Sequence, residues 1–226
     1  MARPPNVLPW SYSSLSAFET CPKRYELTRL TKQVVEAQTE ATLHGNEVHK
    51  ALELHLNGDK HLPEKYEKYL PLVERVRKQP GKRLVEYKFG VTEDFRSTTF
   101  FGKDVWFRGV IDVGVVGQKS AILLDWKTGK PKTDADQLKL FAAAGFASFP
   151  YLNQIKTGYV WLAHNKLDAN TFTRDDLPDI WREFTPRVIR MVNALETGKF
   201  LPKPSGLCRA WCPVPKSMCE FSGKEG

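Results

Sequence analysis

The sequence predicts an α/β fold, with strands in the middle of the chain and helices on either side of them. Two apolar runs, Val105–Val116 and Ala121–Trp126, are separated only by Gly117–Ser120, which is the pattern of two strands joined by a turn. Apolar residues recur with helical spacing before and after these runs, for example at Leu177–Thr197, which ends at Gly198. We therefore expect a central sheet flanked by helices.

The other elements follow in order from the spacing of apolar residues and from residues that begin or end helices. The predicted order is a helix from Ser11 or Ser13 to about Thr20, a helix at Thr42–His55, an amphipathic helix at Pro63–Lys78, a strand at Leu84–Val91, the two strands above, a helix at Asp134–Ala147, a last strand at Lys156–Ala163 and the helix at Leu177–Thr197. A chain of 226 residues is long enough for one sizeable core. We expect a single domain over 1–226, with a helical N-terminal part at 11–80 and a cysteine-bearing C-terminal segment at 199–226.

The composition indicates a soluble protein with a basic surface. With 34 Lys and Arg against 26 Asp and Glu, the formal charge is +8. Such an excess favours polyanionic partners, because Lys and Arg contacts release counterions from phosphates. The segment Met1–Pro9 lacks the apolar region of a secretory signal, and the weakly polar stretch Leu138–Leu152 is too short to span a bilayer. We expect a soluble, cytoplasmic protein with no membrane partner.

Two acidic residues and a lysine are placed where neighbouring strands can bring them together. Asp112 lies in the first central strand, and Asp125 and Lys127 lie at the end of the second. Side chains two residues apart on a strand point to the same face, so Asp125 and Lys127 can reach one reacting group, and a hairpin would bring Asp112 beside them. Two converging carboxylates favour magnesium or manganese, and a lysine suits phosphoryl oxygens. The alternative is an exposed charged pair at a strand end.

These residues belong to a set of short motifs that resembles a known family. The motifs are GVID at Gly109–Asp112, LLDWK at Leu123–Lys127, QLKLF at Gln137–Phe141, a G-x-x-x-H-x-x-L-E pattern at Gly45–Glu53, and a serine-rich element at Ser11–Leu15 followed by Cys21-Pro22. In order and spacing they resemble the PD-(D/E)XK nuclease superfamily, and within it the RecB-like and Cas4-like exonuclease branch. The resemblance implies a restriction-endonuclease-like fold, in which a mixed central sheet is flanked by helices.

The resemblance also implies a metal site built from the central strands and an upstream helix. Asp112, Asp125, His49 and the main-chain carbonyl of Trp126 would bind Mg²⁺ or Mn²⁺. Lys127 would orient the attacking hydroxide or stabilise charge that grows on the phosphoryl oxygens. A satisfied, half-buried side chain is the alternative for His49.

Further polar residues have roles that the resemblance leaves more open. Glu86 would hold a second metal or direct the attacking water, or it is an exposed strand residue. Gln137 would position Lys127 or DNA, although Phe141 here replaces the tyrosine that the family has four residues later. Lys130 and Lys132 follow the catalytic strand and are the basic residues expected to contact DNA.

The four cysteines lie at opposite ends of the chain, with Cys21 alone and Cys208, Cys212 and Cys219 grouped. In an intracellular protein four cysteines indicate a metal site or free thiols rather than two disulfides. Their distribution resembles the iron–sulfur branch of the family, in which a 4Fe–4S cluster joins the N- and C-terminal segments. The spacing here is C-x3-C-x6-C, whereas the family has C-x2-C-x5-C. Four thiolates would also suit zinc, and free thiols remain a third interpretation.

The predicted function is metal-dependent hydrolysis of DNA, as an exonuclease on single-stranded ends in recombination, repair or phage DNA processing. A separate helicase or recombination protein is a possible partner, because the chain has no P-loop of its own. The alternatives are a structure-selective endonuclease on the same core and an inactive DNA-binding accessory subunit.

Overall fold

The computed structural model describes residues 9–224, so most of the proline-rich segment Met1–Pro9 lies outside the described residues. The chain divides into two compact units. One is built from the two ends of the chain, Met1–Ala37 and Trp181–Gly226, and the other from Gln38–Ile180. The single-domain organisation over 1–226 stays a prediction. Within residues 9–224, no helix is both long enough and apolar enough to cross a membrane.

The helices lie before, between and after the strands, as the sequence predicts. Their bounds are Tyr12–Thr20 (α1), Pro22–Tyr25 (α2), Glu40–Asn57 (α3), Leu70–Arg77 (α4), Asp136–Ser148 (α5), Leu177–Thr197 (α6) and Cys208–Trp211 (α7), with a π-helix at Glu26–Leu30 and 3-10 turns at Glu64–Tyr69, Leu162–His164 and Arg174–Asp176. Helix α3 begins where the hydroxyl of Thr39 accepts a hydrogen bond from the backbone N–H of Thr42. It ends at Gly58, whose φ of 83° is favourable for glycine.

A six-stranded mixed sheet forms the centre of the unit Gln38–Ile180. The strands are Lys82–Val91 (β1), Ser97–Thr98 (β2), Phe107–Val116 (β3), Ser120–Lys127 (β4), Gln154–Trp161 (β5) and Lys166–Thr173 (β6), and their order in the sheet is β2-β1-β3-β4-β5-β6. Strands β4 and β5 pair in parallel, and the other paired strands are antiparallel. The predicted mixed sheet flanked by helices is therefore confirmed.

Helices cover this sheet because both contribute apolar side chains to a common core. Leu52 of α3 and Val73 of α4 belong to one buried cluster with Val113 of β3 and Trp126 of β4. Helix α5 packs closely on the sheet as well, since a Cβ added at Gly145 would lie 2.7 Å from the side chain of Ile155. The burial of these apolar groups is the main stabilising contribution to the unit.

The prediction that Lys156–Ala163 is the last strand is wrong, because β6 at Lys166–Thr173 follows it and pairs antiparallel with β5. Strand β6 lies at the edge of the sheet and is mostly exposed or half-buried. An exposed edge strand lacks the apolar alternation that marks a half-buried strand, so its polar sequence concealed it. The two-residue strand β2 was also missed.

The unit formed by the chain ends is held together by aromatic packing and ion pairs. Helix α1 begins at Ser11, whose backbone and side chain bond reciprocally to Ser14 in a capping box. Within the same unit, the guanidinium of Arg187 in α6 donates hydrogen bonds of 2.8 and 2.7 Å to the two carboxylate oxygens of Glu19 in α1. Such bidentate pairs are the stronger class of charged hydrogen bond, so this contact fixes α1 against α6.

Candidate active site

The two predicted acidic residues lie where strands β3 and β4 separate. The pairing of these strands extends as far as Val113 with Leu124, so Asp112 and Asp125 lie one residue beyond it. There the backbone N–H of Trp126 donates a hydrogen bond of 2.6 Å to Oδ2 of Asp112. The separating strands therefore leave two carboxylates beside each other, and the one from β3 is fixed to the backbone of β4.

Asp125, Lys127 and Gln137 form a closed set of polar contacts. The ammonium nitrogen of Lys127 lies 2.6 Å from Oδ2 of Asp125 and donates a hydrogen bond of 3.2 Å to Oε1 of Gln137. The amide of Gln137 in turn donates a hydrogen bond of 3.1 Å to Oδ1 of Asp125. Gln137 thus connects the lysine and the carboxylate, and its role in positioning Lys127 stays a prediction.

The carboxylate of Asp125 is buried, with 5% of the residue exposed. Burial, and then the negative charge of Asp112, raise the pKa of this carboxyl, while the ammonium of Lys127 opposes the rise. The ammonium of Lys127 lies 2.6 Å from Oδ2 of Asp125 and is the charged group that faces this buried oxygen. A buried carboxylate oxygen of this kind is suited to a cation.

His49 of α3 reaches the same two carboxylates. Its Nδ1 lies 3.1 Å from Oδ1 of Asp112. Burial alone would lower the pKa of His49, but the hydrogen bond to Asp112 and the negative charges of Asp112 and Asp125 outweigh it and raise the pKa. One turn earlier, a Cβ at Gly45 would lie 3.3 Å from the hydroxyl oxygen of Thr128, so the glycine of the G-x-x-x-H pattern lets α3 approach the end of β4.

Glu86 lies in β1 with an unusual backbone conformation. The register places it opposite Asp112, between the pairs of Val85 with Val113 and Tyr87 with Ile111. Its φ of 48° falls in the left-handed region, which costs a residue with a Cβ about 1–3 kcal/mol. Such strain is concentrated at functional sites.

The environment of the Glu86 carboxyl is acidic as well as partly buried. Burial, followed by the charges of Asp112 and Glu53, raises its pKa to about 7. Glu53 itself pairs with Lys50, 2.7 Å away, on the surface of α3. Glu86 therefore shares the electrostatic environment of Asp112 and His49.

The donor groups fit a divalent cation in kind. Two carboxylates and an imidazole are ligands that Mg²⁺ and Mn²⁺ accept. Among the residues that the structure describes, no three His, Cys, Asp or Glu side chains surround a common metal position. The donors of Asp112, Asp125 and His49 are instead bonded to each other, to Trp126 and to Gln137. A cation would replace these contacts.

Comparison with known proteins places this geometry in a family. The model of the PD-(D/E)XK nuclease superfamily matches residues 9–83 and 59–220, which together span almost the whole chain. The chain belongs to the PD-(D/E)XK nuclease superfamily. No curated protein matches at a significant level.

One solved structure supports the fold of this PD-(D/E)XK nuclease. A protein from Eubacterium rectale that is named as a candidate exonuclease aligns with a TM-score of 0.55 at 12% identity, covering 88% of this chain and 85% of its own. The protein SSO0001 aligns with a TM-score of 0.49 at 13% identity, covering 96% of this chain and 88% of its own. At 12% identity the likeness to the Eubacterium rectale protein shows the fold alone.

The basic residues predicted to bind DNA lie after strand β4. Lys130 and Lys132 are both exposed in the segment between β4 and α5. Lys132 also lines an open cavity of about 530 Å³ together with Tyr159 and Lys166. Their DNA-binding role stays a prediction.

None of the four cysteines of this nuclease forms a disulfide, and all four line one small cavity in the unit formed by the chain ends. The backbone N–H of Lys203 donates to Sγ of Cys21 at 3.4 Å, and that of Ser205 donates to Sγ of Cys208 at 3.2 Å. No three of the described thiols surround a common metal position. The fold therefore brings Cys21 near the C-terminal three, and the iron–sulfur cluster stays a prediction.

Two features of the site were missed from the sequence. The ring of Tyr159 in β5 lies 5.0 Å from the ammonium nitrogen of Lys127, because β5 runs parallel to β4 with Tyr159 opposite Asp125. A lone tyrosine in an apolar strand carries no signal of this contact. The left-handed conformation of Glu86 was also missed, since the surrounding residues read as an ordinary strand.

Proposed function

We propose that this protein is a metal-dependent deoxyribonuclease that acts as an exonuclease on single-stranded DNA ends. The observation that carries the proposal is the convergence of Asp112, buried Asp125 and Lys127 where β3 and β4 separate. Two carboxylates and an ammonium at one point match the needs of phosphodiester hydrolysis, which is positioning and stabilisation of charge on phosphoryl oxygens.

Each side chain has a defined part in this reaction. Asp112, Asp125, His49 and the carbonyl of Trp126 would hold Mg²⁺ or Mn²⁺. The bound cation would polarise the scissile phosphate and lower the pKa of a water molecule. Lys127 stabilises the charge that develops on the phosphoryl oxygens.

Two residues assist these groups. Gln137 holds the ammonium of Lys127 in place through its carbonyl oxygen. Glu86, which the strand register places opposite Asp112, directs the attacking water.

Two observations support DNA as the substrate and its ends as the place of attack. The basic balance of the chain favours a polyanion. The structural neighbour from Eubacterium rectale is named as a candidate exonuclease. A binding-only subunit is disfavoured, because burying Asp125 and straining Glu86 cost stability and serve no purpose in binding a phosphate backbone. A helicase or recombination protein would supply the single strand.

We propose further that the four cysteines hold a 4Fe–4S cluster. Their position around one cavity supports this, and so do the two backbone N–H groups that donate to sulfur, because such hydrogen bonds also surround the sulfurs of iron–sulfur clusters. The cluster would be structural, joining Cys21 to the C-terminal segment.

Incubation with end-labelled DNA tests the proposed function. We expect linear single-stranded DNA to be shortened from an end with Mg²⁺ or Mn²⁺, EDTA to stop the reaction, and circular single-stranded DNA to survive. Cleavage of the circle would replace the exonuclease by an endonuclease, and no cleavage of any DNA with either metal would refute the nuclease.

A further inference from the structure

Two adjacent phenylalanines occupy the centre of a tight turn after strand β2. The backbone N–H of Gly102 donates to the carbonyl of Thr99 at 2.9 Å, which places Phe100 and Phe101 at the two central positions. Turn centres normally hold Gly, Pro, Asn, Asp or Ser. Phe101 is instead 76% exposed. A large exposed aromatic side chain at the centre of a turn departs from this residue preference, and such departures occur mostly at functional sites.

Local contacts fix this turn rigidly against the sheet. The hydroxyl of Thr98 donates to Asp104 at 2.6 Å across the turn. A Cβ added at Gly90 of β1 would lie only 2.6 Å from the carbonyl oxygen of Thr99, so the turn rests directly on the strand. The two rings are therefore presented by a supported backbone.

Two cations lie beside the exposed ring of Phe101 and the half-buried ring of Phe100. The guanidinium carbon of Arg108 lies 5.3 Å from the centre of each ring, and the ammonium nitrogen of Lys88 lies 5.6 Å from Phe100 and 5.9 Å from Phe101. Nε of Arg108 is buried and has no hydrogen-bond partner among the described residues. An exposed aromatic face beside positive charge is the combination that binds a base and its phosphate.

This cluster lies on the same face of the sheet as the catalytic Asp112. Arg108 and Asp112 are four residues apart on β3, so their side chains point to one face, about 13 Å apart along the strand. Lys88 of β1 is paired with Val110, between these two residues, and cross-strand partners share a face. A strand of nucleic acid bound at Asp112 can therefore reach the two rings.

We propose that Phe100, Phe101, Lys88 and Arg108 form a stacking site for an unpaired base of the DNA strand, a few nucleotides from the scissile bond. The exposed ring of Phe101 stacks on the base, and the two cations contact the neighbouring phosphates. This inference rests on the proposed function and specifies how the site selects single-stranded over paired DNA, since a base held in a duplex cannot offer its face.

Binding of a fluorescent single-stranded oligonucleotide in EDTA tests the stacking site without any need for cleavage. We expect Phe101→Ala to weaken binding by about 5- to 100-fold, the range for loss of one stacked base. Tyr151→Ala is the matched control, because Tyr151 is an aromatic residue of the same unit that is 56% exposed. It should bind as the wild type does. Equal binding by Phe101→Ala and the wild type would overturn the inference.

A scan with one abasic nucleotide separates stacking from general contact. At one position of the oligonucleotide, removal of the base should weaken its binding to the wild-type protein as much as the Phe101→Ala substitution does. Removal of the same base should not weaken binding to the Phe101→Ala protein any further. Phe101→Leu, which keeps apolar bulk without an aromatic face, should behave like Phe101→Ala, whereas Phe101→Tyr should bind normally. The absence of such a position, or normal binding by Phe101→Leu, contradicts base stacking.

Parallel cleavage assays with Mn²⁺ distinguish a failure of this inference from a failure of the proposed function. If Phe101→Ala cleaves and binds DNA as the wild type does, the stacking site is refuted and the proposed nuclease activity is retained. If Phe101→Ala weakens binding but the wild type does not cleave DNA, the proposed nuclease activity is refuted and the stacking site is retained.

Discussion

Replacing Lys127 by alanine should affect both the stability and the activity of this protein. The ammonium of Lys127 lies 2.6 Å from a carboxylate oxygen of buried Asp125. Two unit charges at this distance attract by about 6 kcal/mol at an effective dielectric constant of about 20, and desolvation of the carboxylate offsets part of this. Losing one partner of a buried pair costs about 3–5 kcal/mol. The side chain of Lys127 is 33% exposed, so we expect about 3 kcal/mol.

The stability deficit of Lys127→Ala should depend on pH in a defined direction. Burial already raises the pKa of Asp125 in the folded protein, and loss of the lysine raises it further. The folded state then binds a proton more tightly than the unfolded state, so stability falls as the pH rises from about 4 through the raised pKa. The deficit relative to wild type should be small near pH 4 and full near pH 8.

Urea unfolding in EDTA measures this deficit, with Lys130→Ala as the control. Lys130 is an exposed lysine three residues away, and its replacement should change the free energy of unfolding by less than about 0.5 kcal/mol. With Mn²⁺ and single-stranded DNA, Lys127→Ala should cleave at least about 100-fold more slowly, because it loses transition-state stabilisation. Wild-type stability at pH 8 together with near wild-type cleavage would refute the reasoning.

Three further predictions concern other groups of the protein. His49→Ala should need more Mn²⁺ for half-maximal cleavage and regain activity at high Mn²⁺; an unchanged metal dependence would show that His49 is structural. In the metal-free protein the raised pKa of Glu86 lowers the stability of the fold as the pH rises from about 4.5 through about 7. The melting temperature of Glu86→Gln should therefore depend less on pH than that of the wild type. The same pH dependence in both proteins would contradict this. Anaerobically purified protein should be brown. Cys21→Ser and Cys212→Ser should each lose the colour and should destabilise the fold to the same extent. Colourless protein with stoichiometric zinc would favour structural zinc.

The parts of the fold that could be predicted from the sequence are those with a buried apolar pattern. The hairpin of β3 and β4 and the helix that carries His49 were predicted because their core-facing residues repeat with the period of a strand or a helix. The same pattern placed Asp112, Asp125 and Lys127 at one point. Local sequence is sufficient there because the turn at Gly117–Ser120 fixes the register of the two strands.

The features that could not be predicted depend on contacts between distant segments or on backbone conformation. Strand β6 has no buried residue, and its only apolar residues are Leu167, Ala169 and Phe172, so no sustained apolar period marks it. The φ of 48° at Glu86 arises within a segment whose residue types favour a regular strand. The contact of Tyr159 with Lys127 requires β5 to lie beside β4, which only the folded topology provides.

The most direct test of the account is the Mn²⁺ dependence of single-turnover cleavage of linear single-stranded DNA by the wild type and Asp112→Asn. The asparagine keeps the size of the side chain and an oxygen that can accept the backbone N–H of Trp126, but it removes the negative charge. The account predicts that the wild type cleaves only with metal and that Asp112→Asn cleaves at least about 100-fold more slowly while binding the DNA normally. Cleavage by the wild type in EDTA, or wild-type cleavage by Asp112→Asn, would contradict it.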